Sequence, residues 1–255
     1  MIAAFPPGWI VPDWVAPRNV RAVITTRSGG DSRGAYSSFN LASHVGDEEQ
    51  AVAGNRGILR GHLPADPVWM KQVHGTQVFD ADADPAGVAI EVEADAAVTR
   101  SARRVLAVLT ADCLPVLLCD DSGSVVGVAH AGWRGLATGV IECVVAAMKI
   151  DPERLIAYIG PGIGASAYEV GAEVRQAFVA RNATAVHAFA PLDEAAPGKY
   201  LADLALLARQ RLGRCGVMRI AGGMHCTYSD PARFFSFRRD GATGRFASLI
   251  WISDP

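Results

Sequence analysis

The stretch TADCLPVLLCDDSGSVVGVAHAGWRG, residues 110–135, contains two short apolar runs separated by a polar segment rich in aspartate, serine and glycine. The runs PVLLC and SVVGVAH are apolar at almost every position, which is typical of strands covered on both faces, as in layered α/β proteins. Cys113 comes just before the first predicted strand, and His130 lies at the end of the second. The stretch therefore predicts a buried sheet with a thiol and an imidazole at its strand ends.

Other β-branched runs, bounded by Gly, Pro and Asp, continue this strand pattern along the chain. They are RAVITT, PVWMKQVHG, GTQVFDA, ADAAVT, RVLAVLT, LIAYIG, VMRIAGG and RFASLIWI. Apolar spacing predicts four helices, over residues 47–58, 136–149, 171–181 and 201–212. We therefore predict one α/β domain of mixed (α+β) type over residues 1–255, with a core of mixed β-sheets flanked by helices, and a Pro-rich surface arm over residues 1–17.

Residues 28–41, SGGDSRGAYSSFNL, are rich in Gly and Ser and are predicted to form a long loop. Loops of this length are uncommon inside a compact domain and are often functional. Asp47 is predicted to be the N-cap of the first helix, because Glu48 and Glu49 then lie near the positive end of the helix dipole.

The composition argues against several classes of protein. The chain has 255 residues and a formal net charge of −2, so no basic stripe for nucleic acid is present. No apolar stretch is long enough to cross a bilayer, and the first residues lack the basic region of a signal peptide. The five cysteines form no CxxC motif, which favours reduced thiols. We expect a cytoplasmic monomer or small homo-oligomer that binds neither nucleic acid nor membranes.

Three residues at predicted strand ends are candidate metal ligands: His74 in KQVHG, Cys113 in TADCLP and His130 in AHAGWRG. Strand ends of a sheet can converge on one point, and two imidazoles with a thiolate suit Zn²⁺. Three protein ligands leave a fourth position for water, whose pKa the ion would lower. Asp112 could act as a base or as a partner of a ligand.

The spacing by itself leaves other interpretations open. His74 and Cys113 are 39 positions apart, and Cys113 and His130 are 17 apart, which matches no structural zinc motif. Cys113 could instead be a nucleophile with His130 as its base, although His74 would then have no role. Cys113 could also be a small buried residue without a chemical role.

Four arginines are candidate contacts for an anion. Arg27 in TTRSGG and Arg134 in GWRG lie in glycine-rich turns, where backbone N–H groups can approach an anion. Arg56, late in the first predicted helix, and Arg238 in SFRRDG are further candidates. Arginine is the preferred side chain for bidentate binding of phosphate.

Residues 159–171, IGPGIGASAYEVG, form a third candidate segment. Their glycines do not fit G-x-G-x-x-G, and Pro161 interrupts them, so we exclude a Rossmann dinucleotide site. A tight loop that passes a ligand is the better interpretation. Tyr168 could stack on a flat ring, or it could be a partly buried side chain anchored by its hydroxyl.

Taken together, these motifs resemble the laccase-domain family, described as multicopper polyphenol oxidase-like, which includes bacterial purine nucleoside phosphorylases and the peptidoglycan editing factor. QVHG, TADCLP and HAGWRG occur here in that order, and the matching stretches run from about residue 25 to residue 252. The resemblance implies a single domain with a sandwich-like core of mixed sheets. It also implies that His74, Cys113 and His130 bind one zinc ion.

The activity implied by the resemblance is phosphorolysis of adenosine, inosine, guanosine and methylthioadenosine, together with deamination of adenosine. Asp112, Cys113 and Arg134 are then the candidate catalytic residues. The candidate contacts for the purine nucleoside and phosphate are Arg27, Asn40, His44, Arg56, Gln72, Tyr168 and Arg238.

Three other functions stay open. A peptidoglycan-precursor editing amidase would use Cys113 as its nucleophile in a wide groove. A copper-dependent polyphenol oxidase fits less well, since six histidines are too few for a multicopper cluster. A zinc-stabilised binding module would need a closed site, with His225 or Cys226 as its fourth ligand.

Overall fold

Two β-sheets lie face to face at the centre of the chain, in a computed structural model that describes residues 5–83, 92–193 and 197–254. The strands are β1 Val20–Ile24, β2 Pro67–Val68, β3 Met70–Lys71, β4 Val78–Asp80, β5 Val92–Glu93, β6 Ala96–Thr99, β7 Val105–Thr110, β8 Leu114–Asp120, β9 Val126–Ala131, β10 Leu155–Ile159, β11 Glu169–Gly171, β12 Phe189–Pro191, β13 Lys199–Ala202, β14 Arg219–Gly222 and β15 Phe246–Ile252. The α-helices are α1 Glu49–Arg60, α2 Trp133–Thr138, α3 Val140–Met148, α4 Ala172–Val179, α5 Leu204–Arg214 and α6 Phe237–Asp240.

The larger sheet has the strand order β14-β10-β8-β9-β6-β4, and the second has the order β1-β15-β7-β2. Both sheets mix parallel and antiparallel pairs. Every residue of β7, β8 and β9 is buried, as their almost wholly apolar sequences predict. The predicted single mixed α/β domain is therefore confirmed.

Three apolar clusters define the layers of the domain. One lies between the two sheets and includes Val108, Leu117 and Phe246. A second fills the space between the larger sheet and helices α2 to α5. The third covers the outer face of the smaller sheet, where Leu59 of α1 and Phe39 of the long loop pack near Trp251. The domain therefore has two central sheets with helices on both outer faces.

The N-terminal segment lies against this core in its described part, residues 5–17. Ile10 forms a β-bridge with Ile24, and the rings of Trp9 and Phe39 are 5.6 Å apart. Residues 1–4 of the predicted arm lie outside the described residues.

Several predicted helix boundaries were wrong, and the helix predicted over residues 201–212 begins only at Leu204, because Leu201 and Ala202 belong to β13. Helix α1 begins at Glu49, and Asp47 does not cap it, because its carboxylate accepts hydrogen bonds from Ser32 Oγ and Asn40 Nδ2 instead. The helix predicted over residues 136–149 begins at Trp133 and is divided into α2 and α3 at Gly139, whose φ is +116°. A left-handed residue ends an α-helix and is readily adopted only by glycine.

A small sheet of β11, β13 and β12 was not predicted from the sequence. Its strands have three or four residues each and are partly exposed, so they carry little apolar pattern. The long loop was predicted correctly, and it contains only a single 3₁₀ turn at Gly34–Tyr36.

Candidate functional site

The β8–β9 hairpin brings Cys113 and His130 to the same edge of the larger sheet. Leu114 pairs with Ala131 and Pro115 pairs with His130, so Cys113 lies just beyond the paired region at the open end of the hairpin. His74 lies in the turn after β3, with its Nε2 3.8 Å from the Sγ of Cys113. The ligand atoms of all three residues lie within 4.8 Å of one another. The convergence predicted from the strand ends is therefore present.

The donor set and its spacing fit a tetrahedral metal ion. Zn–S and Zn–N bonds of about 2.3 and 2.05 Å at tetrahedral angles place S and N about 3.6 Å apart. The observed distance between Cys113 Sγ and His74 Nε2 is 3.8 Å, and all three ligand atoms lie within 4.8 Å of one another, so the donors would have to draw closer together to bind such an ion. The same three donors also fit a copper ion, because two imidazoles and a thiolate bind either metal.

Asp95 organises the histidines of this cluster, and the sequence interpretation missed it. Its side chain is fully buried, and its Oδ1 lies 2.8 Å from Nδ1 of His130, which leaves Nε2 of that ring for the cluster. It also accepts backbone N–H bonds from Val73, His74 and Gly75 at 3.2, 2.9 and 2.6 Å. One carboxylate thus orients both histidines, the arrangement usually found behind metal-bound imidazoles.

The backbone at His74 shows why this support is needed. His74 has a φ of +61°, a left-handed conformation that is uncommon for residues other than glycine. The three N–H bonds to Asp95 hold the turn in this conformation. The only sequence signal for Asp95 was its position directly before the predicted strand AAVT.

Electrostatics link the thiol and the imidazole. Burial alone would raise the pKa of Cys113, but the adjacent His130 and His74 outweigh burial and lower it to about 6. Burial alone would lower the pKa of His130, but Cys113 and Asp95 raise it. Each group therefore favours the charged form of the other, a thiolate beside an imidazolium. A thiolate is both the form that binds metals and the nucleophilic form.

The two glycines of HAGWRG, Gly132 and Gly135, leave the space in which the three candidate ligands lie close together. A Cβ on Gly132 would lie 2.9 Å from both Cys113 Sγ and His74 Cδ2. A Cβ on Gly135 would lie 2.8 Å from the carbonyl oxygen of Gly75, where helix α2 packs on the turn that carries His74. Any side chain at either position would therefore push the ligands apart.

A cavity of about 390 Å³ opens above the cluster. This volume is within the range of small-molecule sites. Its walls combine cationic, aromatic and aliphatic side chains with the three possible ligands. The lining residues are His44, Gln72, His74, Leu109, Thr110, Ala111, Asp112, Cys113, His130, Trp133, Arg134, Ile163, Tyr168, Leu204, Phe237, Arg238 and Arg245.

Asp112 lines the cavity with a carboxylate that already has protein partners. It accepts hydrogen bonds from Thr227 Oγ1 at 2.6 Å and from the backbone N–H of Arg238 at 2.7 Å. Its φ is +91°, and Ile163 of the IGPGIG loop donates a hydrogen bond to its carbonyl oxygen. Asp112 therefore joins three segments of the wall, and the IGPGIG loop forms part of that wall.

Aromatic rings and guanidinium groups alternate around the rim. Arg134 lies over the ring of Trp133 at 4.6 Å, and Arg238 lies over the ring of Tyr168 at 5.1 Å. Tyr168 is 8% exposed, and burial raises its pKa, so its hydroxyl stays neutral. Gln72, another lining residue, forms hydrogen bonds to both backbone groups of Leu109. The sequence interpretation did not single out Arg245, Trp133 or Leu204, which also line the cavity.

Arg27, Asn40 and Arg56, which we predicted as substrate contacts, lie outside this lining. Arg27 donates hydrogen bonds to the carbonyl oxygens of Ser37 and Pro231. Asn40 is fully buried, where its amide bonds Ala42 O and Asp47 Oδ2. The Arg56 guanidinium bonds Leu41 O and lies 4.5 Å from the ring centre of Trp69. All three side chains hold the long loop onto the core.

His225 and Cys226, the candidates for a fourth ligand, line a different cavity of about 320 Å³ on the other side of the IGPGIG loop. Among the described residues, His74, Cys113 and His130 form the only group of three or more side chains spaced to hold a metal. A closed four-ligand site and a multicopper cluster both lack the necessary ligands within this part of the chain.

The fold and the site together define a mixed α/β protein with a candidate His–Cys–His metal centre in a cavity of about 390 Å³. The family described as "Multi-copper polyphenol oxidoreductase laccase" matches residues 21–253. The chain therefore belongs to this family.

Named relatives cover almost the whole chain. A Pseudomonas aeruginosa protein named purine nucleoside phosphorylase is 50% identical, over 96% of this chain and 99% of its own length. The purine nucleoside phosphorylase YfiH of Escherichia coli is 48% identical, over 95% of this chain and 98% of its own length. Among solved structures, protein NMB0706 of Neisseria meningitidis has a TM-score of 0.92 at 48% identity, and the match covers 97% of this chain and all of that one.

None of the helices in the described residues combines the length and the apolar character that crossing a bilayer requires.

Proposed function

We propose that this protein is a metal-dependent purine nucleoside phosphorylase that acts on adenosine, inosine, guanosine and methylthioadenosine. The observation that carries the proposal is one cavity in which a His–Cys–His cluster, several guanidinium groups and a row of aromatic rings converge. Relatives that share about half of this sequence over nearly its whole length bear the name purine nucleoside phosphorylase.

Phosphorolysis needs a site for the phosphate anion and flat apolar faces for the purine base. An oxygen of phosphate attacks C1′ of the ribose, the bond from C1′ to N9 breaks, and its electron pair stays on the purine, which takes up a proton. Arg134 and Arg238 at the rim would attract phosphate toward the cavity through their charge. Tyr168, Trp133 and Phe237 provide flat apolar faces for the base.

His74, Cys113 and His130 are the residues that would hold the metal ion, for which we propose zinc, with copper as the alternative. A bound Zn²⁺ can polarise an oxygen ligand and lower the pKa of a water, the chemistry that deamination of adenosine also needs. Asp112 is the proposed acid–base group, since its carboxylate lies in the cavity wall beside Cys113. We therefore propose adenosine deamination as a second activity of the same cavity.

Product analysis tests this proposal directly. Purified protein is incubated with inosine or adenosine, with and without phosphate, and the products are separated chromatographically while ribose 1-phosphate is followed by phosphorus NMR. We expect base and ribose 1-phosphate in equal amounts, only when phosphate is present. Base release that is independent of phosphate would indicate a hydrolase, and no base release would refute the proposal.

A peptidoglycan-precursor amidase is the second candidate, and the low pKa of Cys113 beside His130 favours it. In such an enzyme Cys113 would attack a carbonyl carbon and His130 would protonate the leaving amine. Activity on a muramyl peptide that survives complete removal of metal would support the amidase over the phosphorylase.

The cellular setting follows from the cysteines. All five are unpaired, which suits a reducing compartment, and we propose the cytoplasm. The proposed partners are purine nucleosides and phosphate, and we propose a monomer or small homo-oligomer.

A further inference from the structure

We propose that Arg245, with the hydroxyl of Thr110, forms the binding site for the phosphate oxyanion in this cavity. The proposal rests on the proposed function, because it names the residues that bind the second substrate. Arg245 directly precedes β15, and the next residue, Phe246, pairs with Thr110 at the end of β7. Both side chains line the cavity that contains the His–Cys–His cluster.

The guanidinium of Arg245 is held in place by the protein. Its Nη1 donates to the carbonyl oxygens of Thr243 and Gly244 at 2.7 and 3.0 Å. Its backbone N–H donates to Oδ1 of the fully buried Asn40 at 2.9 Å. A cation fixed before the ligand arrives loses less conformational entropy on binding.

The charge of Arg245 lacks a carboxylate partner. Within the described residues, no Asp or Glu oxygen lies within 4.0 Å of its guanidinium. Burial lowers its pKa, and only partial compensation comes from Cys113 and Asp112. A buried arginine usually has a carboxylate partner, as Arg211 does, whose Nη1 lies 2.7 Å from Oε1 of Glu142. A half-buried cation without such a partner favours an anionic ligand.

Thr110 supplies an independent observation. Its side chain is 1% exposed, and its Oγ1 forms no hydrogen bond with the described residues. A buried hydroxyl without a partner is costly unless a ligand provides one. Phosphate oxygens accept hydrogen bonds from both a guanidinium and a hydroxyl, whereas a purine offers no comparable negative charge.

Arg245 differs from the two arginines at the rim. Arg134 and Arg238 are exposed to solvent, whereas Arg245 is partly buried, although all three guanidinium groups lie near an aromatic ring. Solvent screens the charges of Arg134 and Arg238 more strongly than that of Arg245. Arg245 would neutralise and orient phosphate while one phosphate oxygen forms its bond to C1′ and the electron pair of the broken bond stays on N9. It transfers no proton itself.

The test measures separate KM values for phosphate and inosine in Arg245→Gln, Arg245→Lys and Thr110→Val, with Arg103→Gln as a matched control outside the cavity lining. Arg245→Gln should raise the KM for phosphate about ten- to hundredfold and change the KM for inosine less than about twofold. Arg245→Lys should recover part of the loss. Thr110→Val should weaken phosphate binding without lowering the melting temperature, because it removes an unsatisfied buried hydroxyl.

An unchanged KM for phosphate in Arg245→Gln would overturn the proposal. Equal increases of both KM values together with lost metal would also overturn it, because that result indicates a structural role. The phosphate-dependent rise in melting temperature separates this proposal from the proposed function. If the wild type releases no base but phosphate stabilises it and not Arg245→Gln, the anion site stands while the phosphorylase proposal fails. No stabilisation of an inactive wild type by phosphate would overturn both.

Discussion

The two ends of the β8–β9 hairpin use the same chemistry for different purposes. At the turn end, Asp120 is fully buried and accepts backbone N–H bonds from Ser124 and Val125 at 2.6 and 3.0 Å. At the open end, Asp95 is equally buried and accepts three backbone N–H bonds. Each carboxylate thus fixes a turn through charge-assisted hydrogen bonds.

The two carboxylates differ in their remaining hydrogen-bond partners. Asp120 also bonds the hydroxyl groups of Ser122 and Ser124 in its own turn, and the guanidinium of Arg154 lies 3.8 Å from its Oδ2. Asp95 bonds the imidazole of His130, and the other nitrogen of that ring faces the cluster. Asp120 therefore stabilises only the fold, whereas Asp95 also positions a side chain of the His–Cys–His cluster. The mutations below test that separation, from the largest expected effect to the smallest.

Replacing Cys113 by Ala should abolish activity and metal binding together. Loss of one of three ligands leaves two imidazoles, so we expect phosphorolysis to fall more than about a thousandfold. Metal analysis and inosine turnover measure the two effects. Cys119→Ala, inside the β8 strand that follows Cys113, is the matched control, since this buried thiol is far from ionised, with a pKa raised by burial to about 12. It should cost stability but keep the metal, and equal activity in both variants would refute the role of Cys113.

Replacing Asp95 by Asn should weaken metal binding about ten- to hundredfold, as loss of a carboxylate behind a histidine ligand usually does. The amide keeps the size of the side chain but loses the charge that orients His130. Competition with a chromophoric chelator measures the affinity. An unchanged metal affinity together with a lower free energy of unfolding would show that Asp95, like Asp120, has only a structural role.

Replacing Asp120 by Asn should lower the free energy of unfolding by about 1–3 kcal/mol at neutral pH and leave kcat unchanged. Burial alone would raise the pKa of Asp120, but hydrogen bonds from Ser122, Val125 and Ser124 lower it below its ordinary value. The folded state therefore gains stability above the ordinary carboxyl pKa of about 3.9 and loses it as the pH falls through the lower folded value. Urea titrations from pH 7 to pH 3 should show the variant and wild type converging. A constant difference would contradict the assigned cause.

Replacing Arg27 by Gln should have the smallest effect on catalysis. Its guanidinium bonds carbonyl oxygens of the long loop and of residue 231, so we expect about 1 kcal/mol of lost stability and less than about a twofold change in either KM. Steady-state kinetics check this. A large rise in the KM for phosphate would show that Arg27 contacts the substrate and that the functional site extends beyond the cavity lining.

The sequence predicted the parts of this molecule that depend on local pattern. Apolar runs located β7, β8 and β9, and their ends located Cys113 and His130. The spacing could not select between a metal site, a catalytic pair and buried residues, because that choice depends on where His74 lies in space. The structure brings the three side chains together through a turn that Asp95 holds.

The sequence is least informative where long-range contacts decide. Arg27 and Arg56 look like anion contacts beside Gly and Asn, but backbone carbonyl groups of distant segments bind their guanidinium groups. Arg245 follows Gly244 in GATGR, a setting that does not distinguish it from the other arginines beside glycine, and it reaches the cavity because β15 pairs with β7. Strand pairing over more than a hundred residues leaves no local sequence signal.

The most direct test of the account is the metal content of the wild-type protein and of Cys113→Ala, measured per chain by mass spectrometry after purification without added metal, alongside phosphate-dependent release of hypoxanthine from inosine. We predict close to one metal ion per wild-type chain, none in Cys113→Ala, and activity only in the first. A metal-free wild type that still cleaves inosine with phosphate would contradict the assignment of the open end of the hairpin as a metal centre.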